Sequence, residues 1–170
     1  MKVADAVGIL LKKHVNHVFC ISGGASLHLI HGIAKAGLKY VCPQHEQAAG
    51  FAADAYARLT GLGCALATSG PGATNLITSI AASYYDSIPV LYLTGQVTRP
   101  RMSKEGTVRQ TGFQETPIVD IVQRVTKYAV TVMEPYQVIP ELEMAIKIAK
   151  AGRPGPVLVD IPDDIQRAML

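Results

Sequence analysis

Continuous apolar runs alternate along this chain with stretches in which apolar residues recur at helical spacing. The runs predict buried strands, because a strand that is covered on both faces is apolar at every position. They fall within residues 14–21, 38–41, 64–68, 89–94, 128–132 and 157–161. The helical spacing predicts six helices: one over residues 4–13, one that begins near residue 27, one that begins at residue 46, one that ends at residue 82, one over 119–122 and one over 138–149. Glycines 61, 63 and 152 are expected to end the helices that precede them.

This alternation indicates an α/β domain, doubly wound, with a mostly parallel six-stranded sheet and helices on both faces. The length of 170 residues fits a single domain over residues 1–170. The periodicity fails between residues 95 and 113, which predicts a long loop of the kind that often serves as a lid or binding segment. Its charged residues are Arg99, Arg101, Lys104, Arg109 and Glu105, and without interleaved aromatics they favour a solvated loop over a nucleic-acid site.

Composition narrows the functional classes further. A hydrophobic content of 49% with 17% charged residues indicates a well-buried globule, and a net charge of +3 is too small to indicate nucleic acid. No apolar stretch reaches membrane-spanning length and the start lacks a signal-peptide core, so we expect a cytoplasmic protein with no membrane partner.

The cysteines Cys20, Cys42 and Cys64 each lie in or beside an apolar run, which predicts buried free thiols. The five histidines do not form a convincing metal set.

The segment that begins at Glu46 stands out because seven of residues 48–57 are alanine or glycine. So many small side chains predict a helix that another backbone approaches closely. Glu46 itself lies where a strand gives way to this helix, the usual place for ligand groups in an α/β sheet. The helix dipole also favours a carboxylate there, so a purely structural role for Glu46 is the alternative.

Three strand-to-helix turns, at residues 22–24, 45–46 and 69–72, should emerge at the carboxyl edge of the sheet and line one crevice. Glycine in two of these turns lets a ligand approach the main chain, and amides at helix starts can donate to it. The G-x-G of the third turn is a weak dinucleotide signal, and Asn75 stands where the fingerprint requires a third glycine. A Rossmann nicotinamide or flavin site of that type is therefore disfavoured.

Eight short motifs occur in the order known from one enzyme family. They are HEQAA (45–49), ADAYAR (53–58), SGPGATN (69–75), DSIPV (86–90), GQV (95–97), FQET (113–116), GRPGPV (152–157) and DIP (160–162). In these the chain resembles thiamine-diphosphate-dependent enzymes of the acetolactate synthase type, from about Val3 to its last residue. The part covered is the family's amino-terminal, pyrimidine-binding domain.

The resemblance implies a role for Glu46 and a reaction. In the family, the matching glutamate hydrogen-bonds a ring nitrogen of the cofactor's aminopyrimidine and promotes proton removal from the thiazolium carbon. The implied activity is a transferase or lyase reaction, carboligation or decarboxylation of 2-keto acids, with Gln114 as a second catalytic residue near the reacting centre. Implied cofactor-binding residues are Ser22, Gly23, Gly24, Gly70, Pro71, Gly72, Asn75 and Phe113, together with Arg153 for a non-redox FAD. From the residues alone, Arg153 can equally cap the helix that ends at Gly152.

The resemblance also implies what this chain lacks. The family's diphosphate motif, Gly-Asp-Gly followed by Asn, does not occur in these residues. We therefore expect Mg²⁺ and the diphosphate on a further domain, a second subunit in a homodimer or homotetramer, and no activity of these residues alone. The alternative is a catalytically silent binding or regulatory module with the same fold. Cys20, Ser22 and the long basic loop depart from ordinary synthases and resemble synthase-like proteins of sugar or polysaccharide pathways.

Overall fold

The structure, a computed structural model, describes residues 1–103 and 108–170. Its strands are β1 (His17–Cys20), β2 (Lys39–Val41), β3 (Gly63–Ala67), β4 (Val90–Gln96), β5 (Tyr128–Thr131) and β6 (Val157–Pro162). Its α-helices are α1 (Val3–Lys12), α2 (Leu27–Lys35), α3 (Glu46–Thr60), α4 (Pro71–Thr74), α5 (Ile77–Asp86), α6 (Ile118–Val122), α7 (Val138–Lys150) and α8 (Asp163–Arg167). Short 3-10 turns lie at Gly24–Ser26, Arg99–Arg101, Gln123–Val125 and Pro135–Gln137.

The six strands form one sheet in the order β2-β1-β3-β4-β6-β5, and every neighbouring pair is parallel. The predicted α/β class and the six-stranded parallel sheet are therefore confirmed. The chain runs from β1 outward to β2 and then crosses back over β1 to β3. The carboxyl ends of β1 and β3 thus flank a switch point, where open α/β sheets form a ligand crevice.

Helices cover both faces of the sheet, as the sequence predicted. One buried cluster joins the sheet to α1, α2, α7 and α8, with Leu29, Leu142 and Ile165 among its members. The other joins the opposite face to α3, α5 and α6 through residues such as Ile80 and Ile118. Because the two clusters draw their side chains from every strand except β2, the sheet interior is fixed by residues of this chain.

The small residues of α3 permit the close approaches that the sequence predicted. A Cβ atom added at Gly50 would lie 1.9 Å from Ser79 Oγ of α5. A Cβ atom added at Gly63, the first residue of β3, would lie 2.0 Å from the carbonyl oxygen of Ala53. The elements that approach α3 closely at these positions are therefore α5, through the Ser79 side chain, and β3, through its backbone.

Two predictions of burial were wrong. The run at 38–41 was predicted to be a buried strand, but all three residues of β2 are exposed because β2 is an edge strand. Cys42, which follows it, is also exposed, whereas Cys20 and Cys64 are buried as predicted. Burial raises the pKa of Cys20 to about 12 and that of Cys64 further.

The boundaries of other elements also differ from the predicted ones. The helix predicted to run through residue 82 is two helices, α4 and α5, and α5 extends to Asp86. Strand β4 continues to Gln96, so the long loop starts later than the sequence indicated. Helix α8 was not predicted at all. The predicted loop residues Lys104 and Glu105 lie outside the described part of the chain. Within residues 1–103 and 108–170, no helix has the length and apolar character needed to cross a bilayer.

Candidate active site

Glu46 is the first residue of α3, at the carboxyl edge of the sheet. The preceding residue, His45, has extended backbone geometry, and its Nδ1 accepts a 3.1 Å hydrogen bond from the Gln47 backbone N–H. His45 is therefore the N-cap of α3. Within the described ranges, no three potential ligand side chains form a metal cluster. The capped start of α3 holds the Glu46 backbone beside the switch point.

The Glu46 side chain is half-buried and has a specific partner. Asn75, which follows α4, donates from Nδ2 to Glu46 Oε2 at 2.9 Å. The other oxygen, Oε1, lies 3.4 Å from the position that a Cβ atom on Gly72 would occupy. The carboxylate thus accepts a hydrogen bond from the residue that follows α4, and its other oxygen lies close to Gly72 of the third turn, where a side chain is absent. The predicted grouping of Glu46, Gly72 and Asn75 is present in the structure.

Thr68 joins the first and third turns. It directly follows β3, and its Oγ1 accepts a 3.1 Å hydrogen bond from the Ala25 backbone N–H. A Cβ atom added at Gly23 would lie 2.4 Å from Thr68 Cγ2, and one added at Gly72 would lie 2.8 Å from the same methyl group. Glycine is therefore required at both positions by the Thr68 side chain between them. Sequence reasoning missed Thr68, although its place at the end of a buried strand was a usable signal.

Gln114 reaches the same edge through Gly70. Both residues have positive φ, 62° at Gln114 and 61° at Gly70. A Cβ atom added at Gly70 would lie 2.8 Å from both Cβ and the carbonyl oxygen of Gln114, so the two backbones are in direct contact. A non-glycine residue in this conformation is strained, and such strain is concentrated at functional sites.

A cavity of about 260 Å³ lies beside this contact. Its lining includes the predicted site residues Gly24, Phe113 and Gln114, and also Ala25, Ser69, Val97, Thr98, Arg101 and Asp163. The side chain of Phe113 is 84% exposed, so it borders the cavity without filling it. The structure therefore brings the first turn, the third turn and the loop end at residues 113–114 to one small cavity.

Glu115 anchors the described part of the long loop. Its carboxylate accepts hydrogen bonds from Ser103, at both N (2.5 Å) and Oγ (2.6 Å), and from the backbone N–H groups of Thr111 (2.7 Å) and Gly112 (3.2 Å). Burial opposes ionisation, but these hydrogen bonds hold the pKa of Glu115 below its ordinary value. The ionised side chain thus fixes the backbone that precedes Gln114.

Asp160 connects the strand ends beneath the loop. This buried carboxylate accepts hydrogen bonds from Thr94 Oγ1 (2.7 Å), Gln96 Nε2 (3.1 Å) and Thr131 Oγ1 (3.1 Å). Gln96 Nε2 also donates to the carbonyl oxygen of Thr116 at 2.8 Å. Burial raises the pKa of Asp160 to about 6, and its hydrogen bonds only partly offset that effect. The residues after Gln114 are therefore tied to β4 and β6.

Arg153 lies at the opposite edge of the sheet, in the connection that precedes β6. Its Nε donates a 2.6 Å hydrogen bond to Ser87 Oγ. The end of α7 is instead capped by Lys127, whose Nζ donates to the carbonyl oxygens of Ile148 and Ala151, both at 2.5 Å. The helix-capping alternative for Arg153 is therefore not what the structure shows. Arg153 and Lys127 line a cavity of about 300 Å³ with Tyr84, Tyr85 and Pro154.

Two further predicted site residues, Ser22 and Pro71, make fewer contacts within the site. Ser22 and Pro71 are exposed, and Pro71 is the first residue of α4. Both lie in turns that border the crevice, and no described hydrogen bond joins the Ser22 hydroxyl group to Glu46, Asn75 or Gln114. The sequence therefore located the turns correctly, while the contacts within them could not be deduced from the order of residues.

Comparison with known proteins agrees with this arrangement. Residues 1–124 match the family described as thiamine pyrophosphate enzyme, N-terminal TPP binding domain. Acetolactate synthase from Arthrospira platensis is 43% identical over 166 residues, which cover 94% of this chain and 28% of that protein. Acetolactate synthase 2, chloroplastic, from Nicotiana tabacum is 40% identical over 166 residues, which cover 96% of this chain and 24% of that protein.

The chain spans about a quarter of the length of the curated relatives it matches. The family match covers Glu46, Thr68, Asn75 and Gln114, the residues that meet at the carboxyl edge, but not Arg153. The family resemblance predicted from the motifs is therefore confirmed. This chain belongs to the thiamine pyrophosphate enzyme family, as an N-terminal TPP-binding domain.

Proposed function

We propose that this chain is the pyrimidine-binding part of a thiamine-diphosphate-dependent carboligase or decarboxylase that acts on 2-keto acids. The observation that carries the proposal is the hydrogen bond from Asn75 to Glu46 at a glycine-walled crevice. A silent module with the same fold would have no need of a partly buried carboxylate oriented in this way. The acetolactate synthases among the relatives support the same reaction class.

The crevice fits the aminopyrimidine of the cofactor. Gly24 in the first turn is exposed, and nothing lies within 4 Å of the position that an added Cβ atom would take, so a flat ring can approach the backbone closely there. Glu46 supplies a carboxylate at the same place. A carboxylate forms strong hydrogen bonds to a protonated ring nitrogen, and it does so best where water is excluded. The cavity beside Gln114 has a volume that suits a small substrate.

When bound, thiamine diphosphate supplies an acidic thiazolium carbon and an electron sink for the decarboxylation of a 2-keto acid. The residues of this chain prepare that chemistry. Glu46 would accept a hydrogen bond from a protonated ring nitrogen of the pyrimidine, and Asn75 keeps Glu46 Oε2 in place. Gln114, fixed against Gly70, presents an amide that can donate to the substrate carboxylate or carbonyl. Phe113 lines the same cavity as Gln114.

The rest of the active site is proposed to lie outside these residues. Because the relatives are about four times as long, we propose that a further domain holds Mg²⁺ and the diphosphate. We also propose that a second copy of the protein completes the site, in a homodimer or homotetramer. The highly exposed Phe113 supports this, since a large apolar side chain at a substrate cavity is best covered by another surface.

FAD is proposed as a second, non-redox cofactor at Arg153. The cavity at Arg153 offers two cationic side chains and two tyrosine rings, which suit a phosphate-bearing aromatic ligand. It lies at the sheet edge opposite Glu46, so a flavin there would not take part in the carbon–carbon chemistry.

Release of carbon dioxide from pyruvate by the complete protein tests the proposed activity. The assay is run with and without thiamine diphosphate and Mg²⁺, and Glu46→Gln is the matched inactive variant. We expect cofactor-dependent release by the parent protein and loss of most of it in the variant. If a panel of 2-keto acids is left unchanged by the cofactor-loaded parent protein, the proposal is wrong.

A further inference from the structure

We propose that Thr68 is a positioning residue that sets the gap between the two glycine turns flanking Glu46. The inference rests on the proposed function. It adds a residue that acts on the cofactor site through the two turns that it holds. Two contacts carry it: the hydroxyl group of Thr68 bonds to the first turn, and its methyl group touches both turns.

The hydroxyl group fixes the first turn. Thr68 Oγ1 accepts a 3.1 Å hydrogen bond from the Ala25 N–H, 43 residues earlier in the chain. Ala25 is also held on its carbonyl side, where Gln166 Nε2 of α8 donates at 2.7 Å. A Cβ atom added at Gly95 would lie 1.8 Å from that same carbonyl oxygen, so β4 packs directly against the turn. With Thr68 in place, both the N–H and the carbonyl group of Ala25 are therefore hydrogen-bonded, the first to Thr68 and the second to α8.

The methyl group fixes the spacing. A Cβ atom at Gly23 would lie 2.4 Å from Thr68 Cγ2, and one at Gly72 would lie 2.8 Å from it. Both glycines therefore pack against the same methyl group. Because Gly72 also borders Glu46 Oε1, the size of the Thr68 side chain determines how far this carboxylate lies from the first turn.

This arrangement lies at the switch point, between the ends of β1 and β3, which pair through Phe19 with Ala65 and Cys20 with Leu66. Beyond these pairs the two strands end, and the side chain of Thr68 lies between the turns that follow them. A group that is held on both sides by rigid elements can place a ligand to within a fraction of an ångström. A displacement of about 1 Å at a reacting centre can cost roughly 100-fold in rate.

Two variants separate the hydroxyl from the methyl group. Thr68→Val keeps the shape and removes the acceptor of the Ala25 N–H, whereas Thr68→Ser keeps the acceptor and removes the methyl group. Thr126→Val is the matched control, because Thr126 is a buried threonine whose hydroxyl bonds to the carbonyl oxygen of Val122, away from the crevice. All are made in the full-length protein.

The first measurement is amide hydrogen exchange of the cofactor-free protein, which does not depend on activity. We expect faster exchange in a peptide that contains Ala25 for Thr68→Val, and exchange at the parent rate for Thr68→Ser and Thr126→Val. Peptides from α7 serve as an internal reference and should be unchanged in every variant. Parent-like exchange around Ala25 in Thr68→Val would overturn the role of the hydroxyl group.

The second measurement is deuterium exchange at the thiazolium carbon of saturating bound cofactor. We expect a decrease of roughly tenfold or more in Thr68→Val and a smaller decrease in Thr68→Ser. In a Glu46→Gln background, Thr68→Val should add little, because the two residues act on the same step. If Thr68→Val has its full effect in the Glu46→Gln background as well, its role is merely structural and the inference is wrong. A parent-like exchange rate in Thr68→Ser would also overturn the inference. The Thr68→Ser variant keeps this test available if Thr68→Val does not fold.

The same experiment separates failure of the inference from failure of the proposed function. If Glu46→Gln exchanges at the parent rate, then the proposed function is wrong whatever the Thr68 variants do. If Glu46→Gln is slow but both Thr68 variants exchange at the parent rate, the proposed function stands and the inference fails.

Discussion

Asn75 Nδ2 lies 2.9 Å from Glu46 Oε2 and donates a hydrogen bond to it. This contact links the residue that follows α4 to the first residue of α3, although 29 positions separate them in the chain. The short helix α4, which follows the third strand-to-helix turn, is thus followed directly by the residue that supports the Glu46 carboxylate.

Asn75→Ala should weaken that support without removing the carboxylate. A hydrogen bond to a charged group contributes roughly 1.5–3 kcal/mol, so we expect activity of the complete enzyme to fall about 10- to 100-fold. Asn75→Asp should be at least as damaging, because a second carboxylate would repel Glu46. The measurement is the steady-state rate at saturating cofactor, with the urea midpoint of each variant as a control for folding. Parent-like rates in both variants would show that Glu46 does not depend on Asn75.

Arg153 provides a separate test of the flavin proposal. If FAD binds at the Arg153 cavity, the purified full-length protein should be yellow, and Arg153→Ala should lower its flavin absorbance. Deuterium exchange at the thiazolium carbon should be unchanged in this variant, because Arg153 lies at the opposite edge of the sheet from Glu46. A colourless parent protein with full activity would contradict the proposal.

The three cysteines should differ sharply in reactivity. Cys42 is exposed, whereas burial raises the pKa of Cys20 to about 12 and also raises that of Cys64. Since the thiolate is the reactive form, a thiol reagent at neutral pH should modify Cys42 quickly in the native protein, and Cys20 and Cys64 only in denaturant. Mass spectrometry of the peptides that contain these cysteines measures the three rates, and Cys42→Ser should abolish fast labelling of its own peptide. Fast labelling of Cys20 or Cys64 in the native protein would contradict the observed burial.

Asp160 should make stability fall as the pH rises. Its pKa is raised from 3.8 to about 6 in the folded protein, so the folded state binds the proton more tightly than the unfolded state does. The stabilising effect is complete below about pH 4 and is lost as the pH passes through about 6. Asp160→Asn lacks this titration.

We therefore expect the stability of the parent protein relative to Asp160→Asn to decrease by roughly 2–3 kcal/mol between acidic and neutral pH. Urea denaturation of both proteins at several pH values measures this difference. Comparing the two proteins removes the contributions of carboxylates that both of them share. A difference that does not change with pH would show that Asp160 is not protonated in this range.

The sheet and its covering helices could be predicted because their signals are local. The apolar runs at β3, β4 and β6 are nearly continuous, as expected for strands buried on both faces. The edge position of β2 could not be predicted, since its short apolar run resembles that of a buried strand. Only the strand order shows which runs have neighbours on both sides.

The candidate site was predicted only in part for the same reason. The position of Glu46 before a helix of small residues is visible in the sequence, and so are the glycine turns. The contacts of Thr68 with Gly23 and Ala25 are not, because they span more than 40 positions and arise where β1 and β3 separate. The role of Lys127 in capping α7 was also hidden, since a cation nearer in sequence, Arg153, was the obvious candidate.

The central claim is that Glu46 activates the cofactor, and deuterium exchange at the thiazolium carbon of bound thiamine diphosphate tests it most directly. Glu46→Gln is nearly isosteric and can still accept a hydrogen bond from Asn75, but it cannot stabilise a protonated pyrimidine. We expect the exchange rate to fall by roughly 10²–10⁴, the usual contribution of a positioned acid–base group, while the fold is unchanged. Exchange at the parent rate in the variant would contradict the account.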